Sequence, residues 1–227
     1  MIPLHDDLPI RRTPVVTWLL LALNVGAFAW QLLGDGIPRS VQEGGVIPYE
    51  ILTFQDVWPR DLVPPPLTVF TAMFFHGGLA HLGSNLLFLW IFGNNVEDAM
   101  GRPRFVAFYL LCGVAAAIVQ VLASAASGSL EVPMVGASGA IAGILAAYLR
   151  LFPGARILTL AFVFVVWLPA WIVLGLWILG QLLSVVGGGV PGVALFAHIG
   201  GFAAGWLLVR RLVPPGAERA GLPLTRA

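Results

Sequence analysis

Lysine is absent from this chain of 227 residues, and all twelve basic residues are arginine. Without an ε-amine there can be no Schiff base and no Ser-Lys dyad. Cysteine occurs once, at Cys112 inside an apolar stretch. That excludes an intramolecular disulfide, and a thiolate there would be costly to desolvate, so Cys112 reads as packing. Charge of either sign is scarce, at 10% of residues, against about 25% in an ordinary soluble domain. A net charge of +1 offers no basic face for nucleic acid. What fills the chain instead is apolar: 59% hydrophobic residues and a mean hydropathy of +0.91. The class is a polytopic membrane protein.

Crossing roughly 30 Å of hydrocarbon takes about 20 apolar helical residues, and six runs meet or approach that length. They cover about 14–33, 79–100, 103–123, 137–152, 157–183 and 193–213. Thr13 serves the first as N-cap with Pro14 at the first helical position. That run is too long for a removable signal peptide and lacks its cleavage pattern, so it should remain as an anchor. Gly101 and Pro103 give a stop and restart between the second and third runs, and Pro153-Gly154 ends the fourth. The glycine-rich stretch Gly187-Gly188-Gly189-Val190-Pro191-Gly192 separates the last two. The expected fold is all-α, a six-transmembrane-helix bundle forming one domain over 1–227.

Arginine placement sets the orientation, because short cytoplasmic loops collect positive charge. Arg11, Arg12, Arg102, Arg104, Arg150, Arg156, Arg210, Arg211, Arg219 and Arg226 all fall on one side of such a bundle. Arg39 and Arg60 alone fall on the other, in the long segment between the first two helices. Both termini are then cytoplasmic, and the second, fourth and sixth helices run from outside to inside.

Within those three helices, Asn85, Ser138 and His198 each lie twelve positions before a residue marking the inner end: Glu97, Arg150 and Arg210. At about 1.5 Å per residue, all three sit about 18 Å from the inner end, hence about 10 Å below the outer surface. The fourth helix is short, so the Ser-, Gly- and Pro-containing segment Ser124–Val135 must dip into the membrane to reach it. Irregular backbone at that depth has to be buried in protein or line a water-filled cavity, here one opening outward.

Gly136-Ala137-Ser138-Gly139 opens the fourth helix, where free backbone N–H groups can face a developing oxyanion. Gly139 and Gly143, facing Ala197, Gly201 and Gly205, allow the fourth and sixth helices to approach closely. His81 and Asn85, spaced i, i+4, share one face of the second helix and are candidate oxyanion donors, while His76 falls at or before its start. Each feature has a plainer reading: small residues at spacing four are ordinary membrane packing, and a lone histidine can be an interhelical hydrogen bond. Three dispersed histidines, His76, His81 and His198, could also be a metal or haem set. No carboxylate or thiol joins them at ligand spacing, so no metal and no cofactor is expected. Ionisable groups inside a membrane default to function, and the shared depth of Ser138 and His198 favours a nucleophile and its base.

Taken together, His76-x4-His81-x3-Asn85, Gly136-x-Ser138-Gly139, and His198-Ile199-Gly200-Gly201 with Gly205 resemble the motifs of the rhomboid intramembrane serine proteases of compact six-helix type. The resemblance implies Ser138 as nucleophile, His198 as general base, and the Ser138 N–H with His81 and Asn85 as oxyanion hole. His76, Gly136 and Gly139 would be supporting. It further implies transmembrane protein substrates cut near their outer boundary, with the lipid bilayer as surroundings. Two departures stand out. Leu67 and Thr68 occupy the place of a Trp-Arg pair that many members carry, although Trp58 and Arg60 occur earlier. Ala142 stands where some members have a tyrosine stacked on the catalytic histidine, which leaves open what holds His198. The fifth helix, with Phe162, Phe164, Trp167, Trp171, Trp177 and a kink at Pro169, is a candidate gate, although Trp177 reads equally well as a lipid-facing anchor. The alternative to a protease is a small transporter, channel or rhomboid-like binding protein with a polar midplane pocket. Size and topology suggest a bacterial inner membrane.

Overall fold

The computed structural model describes residues 1–57, 63–189 and 192–214. Trp58, Arg60, Val190, Pro191, Arg219 and Arg226, which figure in the sequence reading, lie outside them. The chain begins with strand β1 (Ile2–Asp6) and helix α1 (Val15–Leu33). Three short helices follow, α2 (Ile37–Gly44), α3 (Pro48–Thr53) and α4 (Pro65–Thr71), each with proline in its first turn, where its missing N–H costs nothing. Next come α5 (Leu79–Phe88), a π-helical turn over Leu89–Gly93, and α6 (Asn94–Met100), which run on without a break. Helix α7 (Arg102–Ser127), α8 (Ser138–Leu151), strands β2 (Arg156–Ala161) and β3 (Phe164–Pro169), α9 (Ala170–Val186) and α10 (Leu195–Leu212) follow among the described residues. Among the described residues, two helices, α1 and α7, are long and apolar enough to cross a membrane by length and composition.

Helix α8 is the centre of the packing. Eleven of its fourteen residues are buried, from Gly139 to Leu151, and α10 lies against both α8 and α7. The glycines dictate that closeness. A Cβ on Gly201 would fall 1.9 Å from the Gly139 carbonyl oxygen, and one on Gly205 would fall 2.3 Å from that of Gly143. Cys112 fits the same seam, fully buried, where a Cβ on Gly143 would meet its sulfur at 2.5 Å. It packs, as its surroundings in the sequence suggest.

The start of α1 is fixed by a buried carboxylate. Glu97 accepts from the backbone N–H groups of Val16 and Thr17, at 3.0 and 2.7 Å, and from the Thr17 hydroxyl at 2.8 Å. It thereby satisfies free N–H groups at a helix N-terminus and complements the helix dipole. Thr13 does not act as N-cap: Pro14 occupies that position without a side-chain cap.

The fifth predicted helix is corrected. Its first part, 157–169, is not helical but forms the hairpin β2–β3, joined through Phe162 and Val163, and the helix begins only at Ala170. Strand β1 adds to the free edge of β2, antiparallel, with Ile2 opposite Leu160 and Asp6 opposite Ile157. The molecule is therefore mainly helical with a three-stranded sheet rather than all-α. Phe162, Phe164 and Trp167 belong to this hairpin, whose first strand opens at Arg156, and not to a helical gate.

Candidate active site

Ser138 is the first residue of α8, with Ala137 as N-cap. Its own N–H is thus one of those a helix start leaves without an intrahelical partner. The approach to it is held by the segments beside α3 and α4. Met134 pairs with Val46 in both directions, and the Gly136 N–H donates to the Ala72 carbonyl at 2.7 Å. Gly136 has φ +123°, a conformation that favours glycine.

From α10, His198 reaches Ser138 directly: Nε2 lies 2.8 Å from the serine Oγ. On the other side of the ring, Nδ1 lies 2.7 Å from Oε1 of Gln181 on α9. A carbonyl oxygen accepts, so Nδ1 carries the ring proton and Nε2 presents its lone pair to the Ser138 hydroxyl. Both nitrogens are engaged in hydrogen bonds. Trp177, one helical turn before Gln181, lies against the imidazole with ring centroids 5.8 Å apart and planes at 40°. Trp177 therefore faces the site instead of serving only as a lipid-facing anchor.

The residues from α5 gather beside Gly136, two positions before Ser138. A Cβ on Gly136 would fall 2.6 Å from His81 Nε2 and 3.7 Å from Asn85 Nδ2. Both side chains thus border the segment that leads into the serine. The Gly77 N–H donates to His81 Nδ1 at 3.4 Å, which leaves the proton on Nε2, the atom nearest Gly136. The Asn85 amide nitrogen is buried and makes no hydrogen bond among the described residues. An unpaired buried donor carries a desolvation cost that an incoming acceptor would relieve. His76, fully buried, precedes α5 and stacks edge-on against His81 at 5.1 Å. Its backbone N–H donates to Gln31 of α1, and its Nδ1 bonds the Phe74 carbonyl at 3.1 Å. Its place is behind His81, not against Ser138.

A space of about 20 Å³ adjoins Ser138, bordered by Gly136, Gly139, Ala194 and Ala197 among others, which is room for about one water molecule. A larger cavity of about 600 Å³ lies elsewhere, lined by Arg11, Arg12, Asp98 and Arg104 near the ends of α6 and α7, and none of the residues around Ser138 borders it. The space beside the serine is accordingly much smaller than a peptide.

Residues 65–215, which hold the α5, α8, α9 and α10 contributions, match the family model of the rhomboid domain. The chain belongs to the rhomboid family. Membership makes it a membrane-embedded protein. Among curated rhomboid relatives, rhomboid-type serine protease 2 of Emericella nidulans is 31% identical over 191 residues, 83% of this chain and 33% of that protein. Rhomboid protein 1, mitochondrial, of Saccharomyces cerevisiae is 30% identical over 159 residues, 69% of this chain and 42% of that protein. RHOMBOID-like protein 1 of Arabidopsis thaliana is 29% identical over 205 residues, 88% of this chain and 47% of that protein. This rhomboid thus spans a third to a half of the length of these relatives, all of them eukaryotic.

Gln181 is the site residue that sequence reasoning missed. It is the one amide within the apolar run of α9, and a polar side chain in a membrane helix is a signal by itself. Its spacing from Trp177 would have placed both on one face.

Proposed function

We propose that this rhomboid is an intramembrane serine endopeptidase, cleaving transmembrane protein substrates through a Ser138–His198 dyad. The observation that carries the reading is the 2.8 Å contact between Ser138 Oγ and His198 Nε2, with the ring in the tautomer a base needs. His198 takes the hydroxyl proton as Oγ attacks the scissile carbonyl carbon. The oxyanion that forms accepts from the Ser138 N–H, His81 Nε2–H and Asn85 Nδ2–H. Collapse expels the amine, which leaves with the proton from His198. Water then attacks the acyl-enzyme, again giving its proton to His198, and the freed carboxylic product departs as the serine is restored.

The same reading takes 1–227 as one membrane domain whose six long helical segments all cross the bilayer. The arginine distribution supports both termini on the arginine-rich side. Chain size and topology are the support for a bacterial inner membrane, and the mitochondrial name of the Saccharomyces cerevisiae relative is the support for an organellar one. The chemistry requires no cofactor.

The test is cleavage of a single-span substrate in liposomes by purified protein. Wild type should cut, and Ser138→Ala should leave the substrate whole while keeping the wild-type melting temperature. Equal cleavage by Ser138→Ala would remove the serine from the mechanism. A transporter or binding role would be favoured if neither protein cut any of several single-span substrates.

A further inference from the structure

The geometry points to Gln181 as the positioning residue of this site: its side-chain carbonyl fixes the tautomer and direction of His198, in the place where many serine hydrolases use a carboxylate. The inference rests on the reading of His198 as general base and goes beyond it by assigning what orients that base.

An imidazole on a single Cβ–Cγ bond can turn about χ2, and either nitrogen can carry the proton. Only one combination works, with Nε2 unprotonated and aimed at Ser138 Oγ. The Gln181 Oε1 lies 2.7 Å from Nδ1 and selects that combination, since it can only accept. Removing this acceptor leaves Nδ1–H without its partner and the ring free to adopt the opposite tautomer. Neutral amide suits the setting, because a carboxylate at this depth would carry a heavy desolvation cost unless paired.

Rotation of the ring is restrained by a second contact from the same helix. Trp177 precedes Gln181 by four residues, so both project from one face of α9. The indole lies against His198 at 5.8 Å and against Phe202 at 6.4 Å. Ala142 of α8, fully buried, has no ring to offer, so the wall that confines the imidazole comes from α9. His198 is in this way held by three helices: its own α10, α8 through Ser138, and α9 through Gln181 and Trp177.

The experiment compares wild type, Gln181→Leu and Gln181→Glu in liposomes, together with nitrogen NMR of the labelled imidazole of His198. Gln181→Leu keeps the bulk and removes the acceptor. It should lower kcat by about 10- to 100-fold, the scale of a misdirected catalytic group, with KM near the wild-type value. Gln181→Glu, which can still accept from Nδ1–H, should recover most of kcat. In wild type the NMR signals should report a proton on Nδ1, and in Gln181→Leu a mixture of tautomers. A folded Gln181→Leu protein with wild-type kcat and an unchanged tautomer would overturn the assignment. So would a wild-type imidazole protonated on Nε2, which would mean that the Gln181 amide donates. Were the wild type to cleave nothing, the protease reading would fall, and the tautomer comparison would still decide the role of Gln181.

Discussion

Asn85 carries a buried amide donor that is unpaired among the described residues, and its loss should be felt in kcat more than in KM. Asn85→Ala is expected to reduce kcat by about 10²-fold, the lower range for one oxyanion donor, as measured by cleavage of a single-span substrate. His198→Ala should be nearly inactive at unchanged stability. These residues could be found in the sequence because each is polar within an apolar run, and helical rise put them at one depth; in the structure Ser138 and His198 are 2.8 Å apart. Gln181 escaped notice for a physical reason. Its helix was expected, but a hydrogen bond across 17 positions to His198 has no local signature. His76 was rightly placed ahead of its helix, but its bond to the Phe74 carbonyl and its contact with His81 depend on tertiary folding.

Helices α8 and α10 meet with backbone against backbone, and one methyl group tests that. Gly201→Ala would thrust a carbon to 1.9 Å from the Gly139 carbonyl oxygen. It should cost about 1–3 kcal/mol, the range for an overpacked contact, and lower cleavage by moving His198 away from Ser138. Gly175→Ala on α9 is the control, because nothing lies within 4 Å of the added carbon. It should be neutral or slightly stabilising, given the helix propensity of alanine, in a thermal melt of the purified protein. This seam was legible from glycine spacing alone. The hairpin was not. Residues 157–169 form a stretch that is apolar but for Thr159, and a short run of that kind cannot be told from a helix by periodicity. Its content of Val163, Val165 and Val166 and its closing Pro169 were the available hints. What decides for strand is pairing with β1, more than 150 positions away in the chain.

Across the whole molecule, the N-terminal strand is tied to the helical body through Asp6, which accepts from the Tyr148 hydroxyl and the Asn95 amide, both at 2.7 Å. Burial outweighs the Tyr148 hydrogen bond and pushes the Asp6 carboxyl up from 3.8 to about 6. An acid raised on folding contributes stability that is complete below the unfolded value and fades as pH climbs through the folded one. Stability should therefore fall between about pH 4 and pH 6 by roughly 2–3 kcal/mol. In Asp6→Asn that component should vanish, so the difference in melting temperature between variant and wild type should grow across this window. The overall orientation is open to a similar check. With Cys112 buried, cysteines placed at Ser129 and at Gly154 should react with a membrane-impermeant maleimide from opposite sides of sealed vesicles. Reaction from the same side would contradict the six-span arrangement. The most direct test of the dyad uses the intact protein in a bilayer and needs no substrate: labelling by a serine-directed fluorophosphonate, with the adduct located by mass spectrometry. The expected result is one adduct on Ser138, lost in Ser138→Ala and nearly lost in His198→Ala. A folded wild-type protein that takes no label at Ser138, or a His198→Ala variant that labels at the wild-type rate, would contradict it.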